Sequence, residues 1–227
     1  MTFRWWDRWG PLTGILSVAF MLAAFLVASN TPSTDDSNAK IATYFDKSSH
    51  QTQQVVGGFL FLAGILLFLA FISVLRSRLV AAEGEPGRLA GLAMGGGVAN
   101  AVFWFTAIAL FIGPGITAGD TSKFHLNPDT YRLLNDTGFA FFVAAVAAGA
   151  LVVWATSAVA LRTRILPRWF GRVGIAVGIL NLLSFFFIPT FIYWIWIIVT
   201  AALFTWRRRE PGAPTAPPAA PGGPAGV

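Results

Sequence analysis

The chain contains no cysteine, which excludes disulfide bridges, thiolate nucleophiles and cysteine-ligated metals. Charge is scarce as well. Asp, Glu, Lys and Arg make up 11% of its 227 residues, against about 25% in an average soluble domain. So few charges cannot cover a surface that faces water. There are two histidines, His50 and His125. The sequence carries no H-E-x-x-H, no G-x-S-x-G and no G-x-x-x-x-G-K-[ST], which removes the common metalloprotease, hydrolase and phosphate-loop signatures. Inside the long apolar runs there is no Asp, Glu, Lys, Arg or His. Ionisable groups within a membrane mark ion pathways and proton relays, so their absence speaks against a proton-coupled pump.

What is present is apolar: 56% hydrophobic residues and a mean hydropathy of +0.66. A helix needs about 20 apolar residues to cross a ~30 Å hydrocarbon core. Runs of that order occupy 11–29, 55–75, 89–112 and 137–161. A fifth apolar block, 173–206, is too long for one crossing and holds Pro189 near its middle. A turn at the proline divides it into 173–188 and 190–206. The prediction is an all-α polytopic membrane protein, a six-transmembrane-helix bundle over 1–209. A tail rich in Pro, Ala and Gly follows over 210–227 and is expected to be disordered. The first run exceeds the ~7–15 residues of a signal-peptide core and reads as a retained span.

Basic residues give these runs a direction. LRSRL at 75–79 and LRTRI at 161–165 each follow an apolar run. With the N-terminus inside, the inner segments hold Arg4, Arg8, Arg76, Arg78, Arg88, Arg162, Arg164, Arg168, Arg172 and the arginines at 207–209, which makes twelve. The outer loops hold Lys40, Lys47, Lys123 and Arg132, which makes four. This bias is the positive-inside pattern of a plasma-membrane protein with both termini cytoplasmic. Trp5, Trp6, Trp9, Trp169 and Trp206 fall at the inner boundary and Tyr193, Trp194 and Trp196 towards the outer one, where aromatic side chains anchor spans.

Two features inside the spans invite contacts. Small residues recur four apart at Gly91 and Gly95, at Ala93 and Gly97, at Ala144 and Ala148, and at Ala145 and Gly149, the spacing that lets helix backbones approach. The third and fourth spans are therefore expected at the centre of the bundle. Asn100 and Asn181 lie near the middle of the third and fifth spans. An amide in lipid must find partners, so both should point into the bundle at similar depth, as interhelical contacts or as a neutral ligand-binding pair. Asp136 stands at the rim of the fourth span as a further candidate ligand contact.

The connections are short. The segment 36–47 places Ile41, Tyr44 and Phe45 at i, i+3, i+4, a small helix with one apolar face for the membrane surface or the bundle end. Asn127 followed by Pro128 is a helix start signal, and that helix should run into the fourth span. Asp46, His50 and His125 are the one set of possible metal ligands, without a repeating ligand spacing; no metal and no cofactor are expected. GRLAGLAMGGGVAN at 87–100 echoes GRVGIAVGILN at 171–181. Either a duplicated helical hairpin or the shared demands of inner arginines and small packing residues writes such an echo.

DSNAKIATYFDKSSHQ at 36–51, LRSRL at 75–79 and LPRWFGRVGIAVGIL at 166–180 resemble uncharacterised multi-pass membrane proteins of actinobacteria. The resemblance covers most of 36–187. It implies a six-helix membrane domain of unknown function and transfers no site residues.

Three functions are compatible with these residues. The first is a non-enzymatic protein acting through helix packing or contacts with membrane partners, its own copies included. The second is a carrier or sensor of a small neutral or lipophilic molecule, with a pocket among the third, fifth and sixth spans. The third is a membrane enzyme, for which no nucleophile or relay is in place. Lipid is the expected partner and nucleic acid is not, because the arginines border apolar runs. An outside-active reporter fused after Arg209 should be silent, and one fused near Gly119 should be active. Activity after Arg209 would remove the even number of crossings.

Overall fold

The computed structural model describes residues 9–121, 123 and 125–206. The arginines at 4, 8 and 207–209, the tryptophans at 5 and 6 and the 210–227 tail lie outside the described residues. Within them the chain is helical and contains no strand. Four helices are long and apolar enough to cross a membrane: α3 (Ser48–Glu83), α4 (Arg88–Asp120), α5 (Pro128–Thr163) and α7 (Ile188–Trp206). α1 (Leu12–Val27) is a shorter apolar helix. α2 (Asn38–Tyr44) is a connecting helix of 7 residues. α6 (Arg168–Asn181) has 14 residues and at 1.5 Å per residue reaches only ~21 Å.

The helix bounds correct the sequence reading in three places. α3 begins seven residues ahead of Val55. α4 continues through Pro114 to Asp120, so the second long connection shrinks to 121–127. The last apolar block does not turn at Pro189. α6 ends at Asn181, Ser184–Phe186 form a single 3-10 turn, and Phe187 takes a left-handed φ of 64°. Pro189 is the second residue of α7. In a first turn the backbone N–H has no intrahelical partner, so proline fits there without breaking anything.

Successive helices of the bundle, α2 apart, pack antiparallel, and the register is visible at their glycines. Gly14 lies against Phe71 and Gly64 against Met21, which pairs α1 with α3. Gly58 meets Ile112 and Gly97 meets Ile72 between α3 and α4. Gly96 meets Leu151 and Gly138 meets Phe111 between α4 and α5. Gly171 meets Leu161 and Gly178 meets Trp154 between α5 and α6. α7 packs on α6 and on α1, so the helices close a ring in chain order. One end carries Arg76, Arg78, Arg88, Arg162, Arg164, Arg168 and Arg172, hereafter the arginine end. The opposite end carries α2 and the connections 28–47 and 121–127.

α4 and α5 form the most extensive helix pair, but they stand in the ring beside the other helices and not at its centre, and the small residues singled out in the sequence do not all take part. Gly91 and Gly95 have no atom of another element within 4 Å of a Cβ position, while Gly96 and Gly97 take the close contacts. Ala93, Ala145 and Gly149 are buried; a Cβ on Gly149 would stand 2.7 Å from the Tyr193 ring. Ala144 and Ala148 are half-buried. The aromatic boundary is also corrected at one end. Trp9, Trp169 and Trp206 are exposed at the arginine end, but Tyr193, Trp194 and Trp196 are buried inside the bundle. A rim position on α7 was inferred from a span starting at 190; the helix places these three residues on the face that closes the ring.

Short contacts fix the helix ends. Asn127 Oδ1 accepts from the backbone N–H of Asp129 (2.8 Å) and Thr130 (3.4 Å), and α5 runs from there without interruption to Thr163. The Glu83 carboxylate at the end of α3 accepts from the N–H groups of Leu89 and Ala90, both at 3.0 Å. These are otherwise orphan donors of the first turn of α4. Removing a helix-capping acceptor costs about 0.5–2 kcal/mol. Glu83→Ala should therefore lower the thermal unfolding midpoint in detergent, with Glu83→Gln in between. An unchanged midpoint for Glu83→Ala would show that the cap contributes nothing to stability.

Candidate functional site

Small residues meet at the α2 end of the ring. Gly57 of α3 faces the Ala24 carbonyl of α1 and the methyl of Ala28, the residue that caps its C-terminal end, and Gly58 faces Ile112 of α4. A cavity of about 240 Å³ results, lined by Phe25 of α1, Gln54 and Phe61 of α3, Ile112 of α4 and Phe142 of α5, among others. α1 and α5 stand on opposite sides of the ring, so the cavity is axial. Its rim carries Ser29, Thr31 and Asn135.

The floor is aromatic. The Phe25 ring lies 6.0 Å from Phe61, 6.2 Å from Phe142, 5.8 Å from Phe187 and 5.7 Å from Trp194. The contacts with the three phenylalanines are edge-to-face, which suits the ring quadrupoles. A column of rings then continues towards the arginine end. Phe61 meets Trp104 at 6.0 Å, Trp104 meets Tyr193 at 6.3 Å, Tyr193 meets Trp196 at 6.5 Å, and Trp196 stacks on Phe170 at 5.7 Å. The cavity is thus closed below.

Its rim is strapped to α5. Tyr131 Oη donates to the Pro32 carbonyl at 2.6 Å, Arg132 Nε to Thr34 O at 2.9 Å, and Arg132 Nη2 to Asp36 O at 2.9 Å. Ile41, Tyr44 and Phe45 of the α2 region bury against Leu126 and Tyr131. The short helix therefore caps the bundle, one of the two positions expected for it. Lys40 and the Ser33 N–H, both hydrogen-bonded to Asp36, hold its carboxyl below its ordinary pKa.

No lining residue of the cavity is ionisable. Its deepest polar side chain is Gln54, 5% exposed. Gln54 Oε1 lies against Gly115 of α4 and has no hydrogen-bond partner among the described residues. Thr31 Oγ1, at the rim, is likewise unpaired. Gln54 was not singled out in the sequence because it stands one residue before the apolar run. Its signal is the amide pair Gln53–Gln54 directly abutting Val55, which α3 carries inside the bundle.

The residues that were singled out lie elsewhere. Asn100 and Asn181 are fully buried and so face the bundle as expected, but neither lines the cavity. Asn100 Nδ2 donates to the Ala145 carbonyl of α5, and Asn100 Oδ1 is unpaired among the described residues. Asn181 sits between Gly178, against Trp154, and Ser184, whose hydroxyl donates to Val143 O at 3.1 Å. This places it within about a turn of the Ala145 level where Asn100 is held. Neither of its amide atoms has a partner among the described residues. Asp136 is exposed and off the cavity; Asn135, one residue away and a ~100° helical step round, takes the rim.

Asp46, His50 and His125 do not converge. Asp46 and His125 border a second, polar cavity of about 200 Å³ beside α2. His50 turns away, stacks on the Tyr44 ring at 4.2 Å and makes a 2.9 Å hydrogen bond with the Tyr44 carbonyl. Among the described residues no three His, Asp or Glu side chains are grouped to hold a metal ion.

The chain matches no family model, no curated protein and no solved structure.

The two asparagines should respond differently to substitution. Interhelical hydrogen bonds in membranes average about 0.6 kcal/mol and reach ~1.7. Asn100→Leu should lower the unfolding midpoint in detergent by that order. Asn181→Leu should leave it unchanged or raise it, because it removes an amide without partners. The reverse order would mean that Asn181, not Asn100, ties the helices.

Proposed function

We propose that the protein is a six-span integral protein of the cell membrane, with both termini cytoplasmic, that binds a small neutral lipophilic molecule in the axial cavity as a sensor or carrier. The six crossings combine the four long helices with α1 and with α6 extended by 182–187. The antiparallel ring supports this count, since it brings seven arginines to one end, the pattern of a cytoplasmic face. Exposed apolar side chains such as Leu66, Val102 and Phe186 then face lipid.

The observation that carries the reading is the cavity. An engineered ~150 Å³ apolar cavity binds benzene; this one is larger, half-open, lined mostly by apolar groups and free of charge. Such a site suits a neutral aromatic or short aliphatic molecule. The ring column beneath it favours binding at a closed end over passage through the bundle, hence a sensor ahead of a carrier. Asp46, His50 and His125 supply no reaction centre, and the alternative of action through partner contacts draws on no built feature beyond the lipid-facing surface.

A small aryl diazirine should label the wall at Phe25, Phe61 and Phe142, in competition with an unlabelled aryl compound. Ala28→Leu, which narrows the cavity from α1, should reduce that labelling severalfold and leave labelling of lipid-facing residues unchanged. Labelling confined to positions such as Leu66 and Val102 would overturn the reading.

A further inference from the structure

The axial cavity is half-open, yet both of its ends along the bundle axis are closed. The ring column lies below it, and Ile41, Tyr44 and Phe45 pack over Leu126 and Tyr131 at the α2 end. The opening is therefore lateral, between two helices. Three of the four joints around the cavity are packed shut. Gly57 seals α1 against α3 at Ala24 and Ala28, Gly58 seals α3 against α4 at Ile112, and Gly138 seals α5 against α4 at Phe111. The joint that is left lies between α5 and α1.

Deeper in the bundle α6 and α7 stand between those two helices, but the turn that joins them stops below the rim. Ser184 Oγ donates to Val143 O at 3.1 Å, and the rings of Phe185 and Phe187 lie 5.7 Å from Phe139 and 5.8 Å from Phe142. The 182–187 turn thus meets α5 between Phe139 and Val143. The next tie across the joint is the strap at Tyr131 and Arg132. From Arg132 to Phe139 a helix rises about 10 Å. Asn135, which lines the cavity, stands in the middle of that interval, and Phe25, Ala28 and Ser29 frame it on the α1 side. Phe25 is 36% exposed although four rings touch it.

The lower edge of this window suits lipid. Phe185, Phe186 and Ile188 are strongly exposed there. The backbone N–H groups of Leu182, Leu183, Phe186, Phe187 and Thr190 all donate to carbonyls in or beside the turn, as a segment bathed in lipid requires. Phe187 adopts φ 64°, an uncommon value for a bulky residue, and sets its ring 5.8 Å from Phe25 at the sill. The upper edge is polar, with Ser29, Thr31 and Asn135. The window stands at the ends of the apolar runs 55–75 and 137–161, where acyl chains give way to headgroups.

We propose that the axial cavity is loaded sideways from the leaflet at the α2 end, the outer one in the topology above. The molecule passes between α1 and α5, over the 182–187 turn and under the strap at 28–36, so the ligand is a neutral lipophile dissolved in the membrane. This deepens the reading of the cavity as a binding site and rests on it. Such a molecule reaches the aromatic floor without crossing water, and the ends of the bundle stay closed as it enters.

The test uses the full chain in phosphatidylcholine vesicles and two photoprobes. One is a small free aryl diazirine. The other is a phosphatidylcholine with an aryl diazirine on one acyl chain, which its headgroup and second chain hold in the leaflet. Phe61 and Phe142, each 2% exposed, report on the cavity wall, and Leu66 and Val102 report on the lipid-facing surface. The lipid probe should label all four. In Ser29→Trp and in Asn135→Trp, which set an indole in the window, its labelling of Phe61 and Phe142 should fall severalfold, with Leu66 and Val102 unchanged. Either variant serves alone if the other does not fold. Wall labelling by the free probe and not by the lipid probe would overturn lateral entry and leave the cavity reading standing. So would lipid-probe labelling of the wall that neither tryptophan reduces, which would put the opening elsewhere. Wall labelling by neither probe would overturn the binding reading itself.

Discussion

In lipid, two apolar helices gain nothing from hiding their surfaces from the solvent, since lipid tails are as apolar as leucine. Their association depends on how closely the backbones approach and on the few hydrogen bonds between them. In this chain the approach is set by glycine. A Cβ on Gly64 would stand 3.0 Å from the Ser17 carbonyl, and a Cβ on Gly96 would stand 3.2 Å from the Ala148 carbonyl. These are backbone contacts, and a side chain at either position would force the helices apart. The antiparallel ring, the burial of Met21, Ile72 and Trp104, and the shape of the axial space all follow from these separations.

The same device produces the cavity. Deep in the bundle, large side chains fill the axis: Trp104, Tyr193, Trp194 and Phe68 are all buried. Towards the α2 end the cavity wall combines the small residues Ala24, Ala28, Gly57 and Gly58 with Phe25, Phe61 and Phe142. Close helix approach and an unfilled axis come from one composition. The strap from Tyr131 and Arg132 to the 28–36 connection then holds the rim in place. It does so through backbone carbonyls, so the sequence of the strapped segment matters less than its path.

Polar groups are sorted by depth. Among the described residues, charged side chains sit at the two ends of the ring, and the interior keeps only neutral ones. Asn100 is used as a tie to α5, while Asn181 and Gln54 carry unpaired atoms. Of these three residues, Gln54 alone lines the cavity.

Much of this was legible in the chain. The scarcity of charge, the length of the apolar runs and the placement of arginine set the helical membrane class, because lipid requires every backbone group to be paired within its own helix. The start of α5 at Asn127 and Pro128 was legible because capping is local chemistry. The turn at 182–187 was not, since a proline reads the same in a turn as in the first turn of a helix. The packing face of α4 was not either. Gly91, Gly95, Gly96 and Gly97 are equivalent in sequence, and only the rotation of α4 against α5 and α3 decides that Gly96 and Gly97 meet neighbours. The same holds for the burial of Tyr193, Trp194 and Trp196, which depends on α7 closing the ring against α1. The cavity is the plainest case. It is drawn from four helices spread over residues 24–142, and no local pattern encodes a space between elements so far apart. The sequence by itself determined the helices and the solvent they suit. Their mutual rotation, which brings Gln54 to an uncharged, aromatic-floored cavity, was decided only by tertiary packing, because it depends on the fit of all the side chains at once.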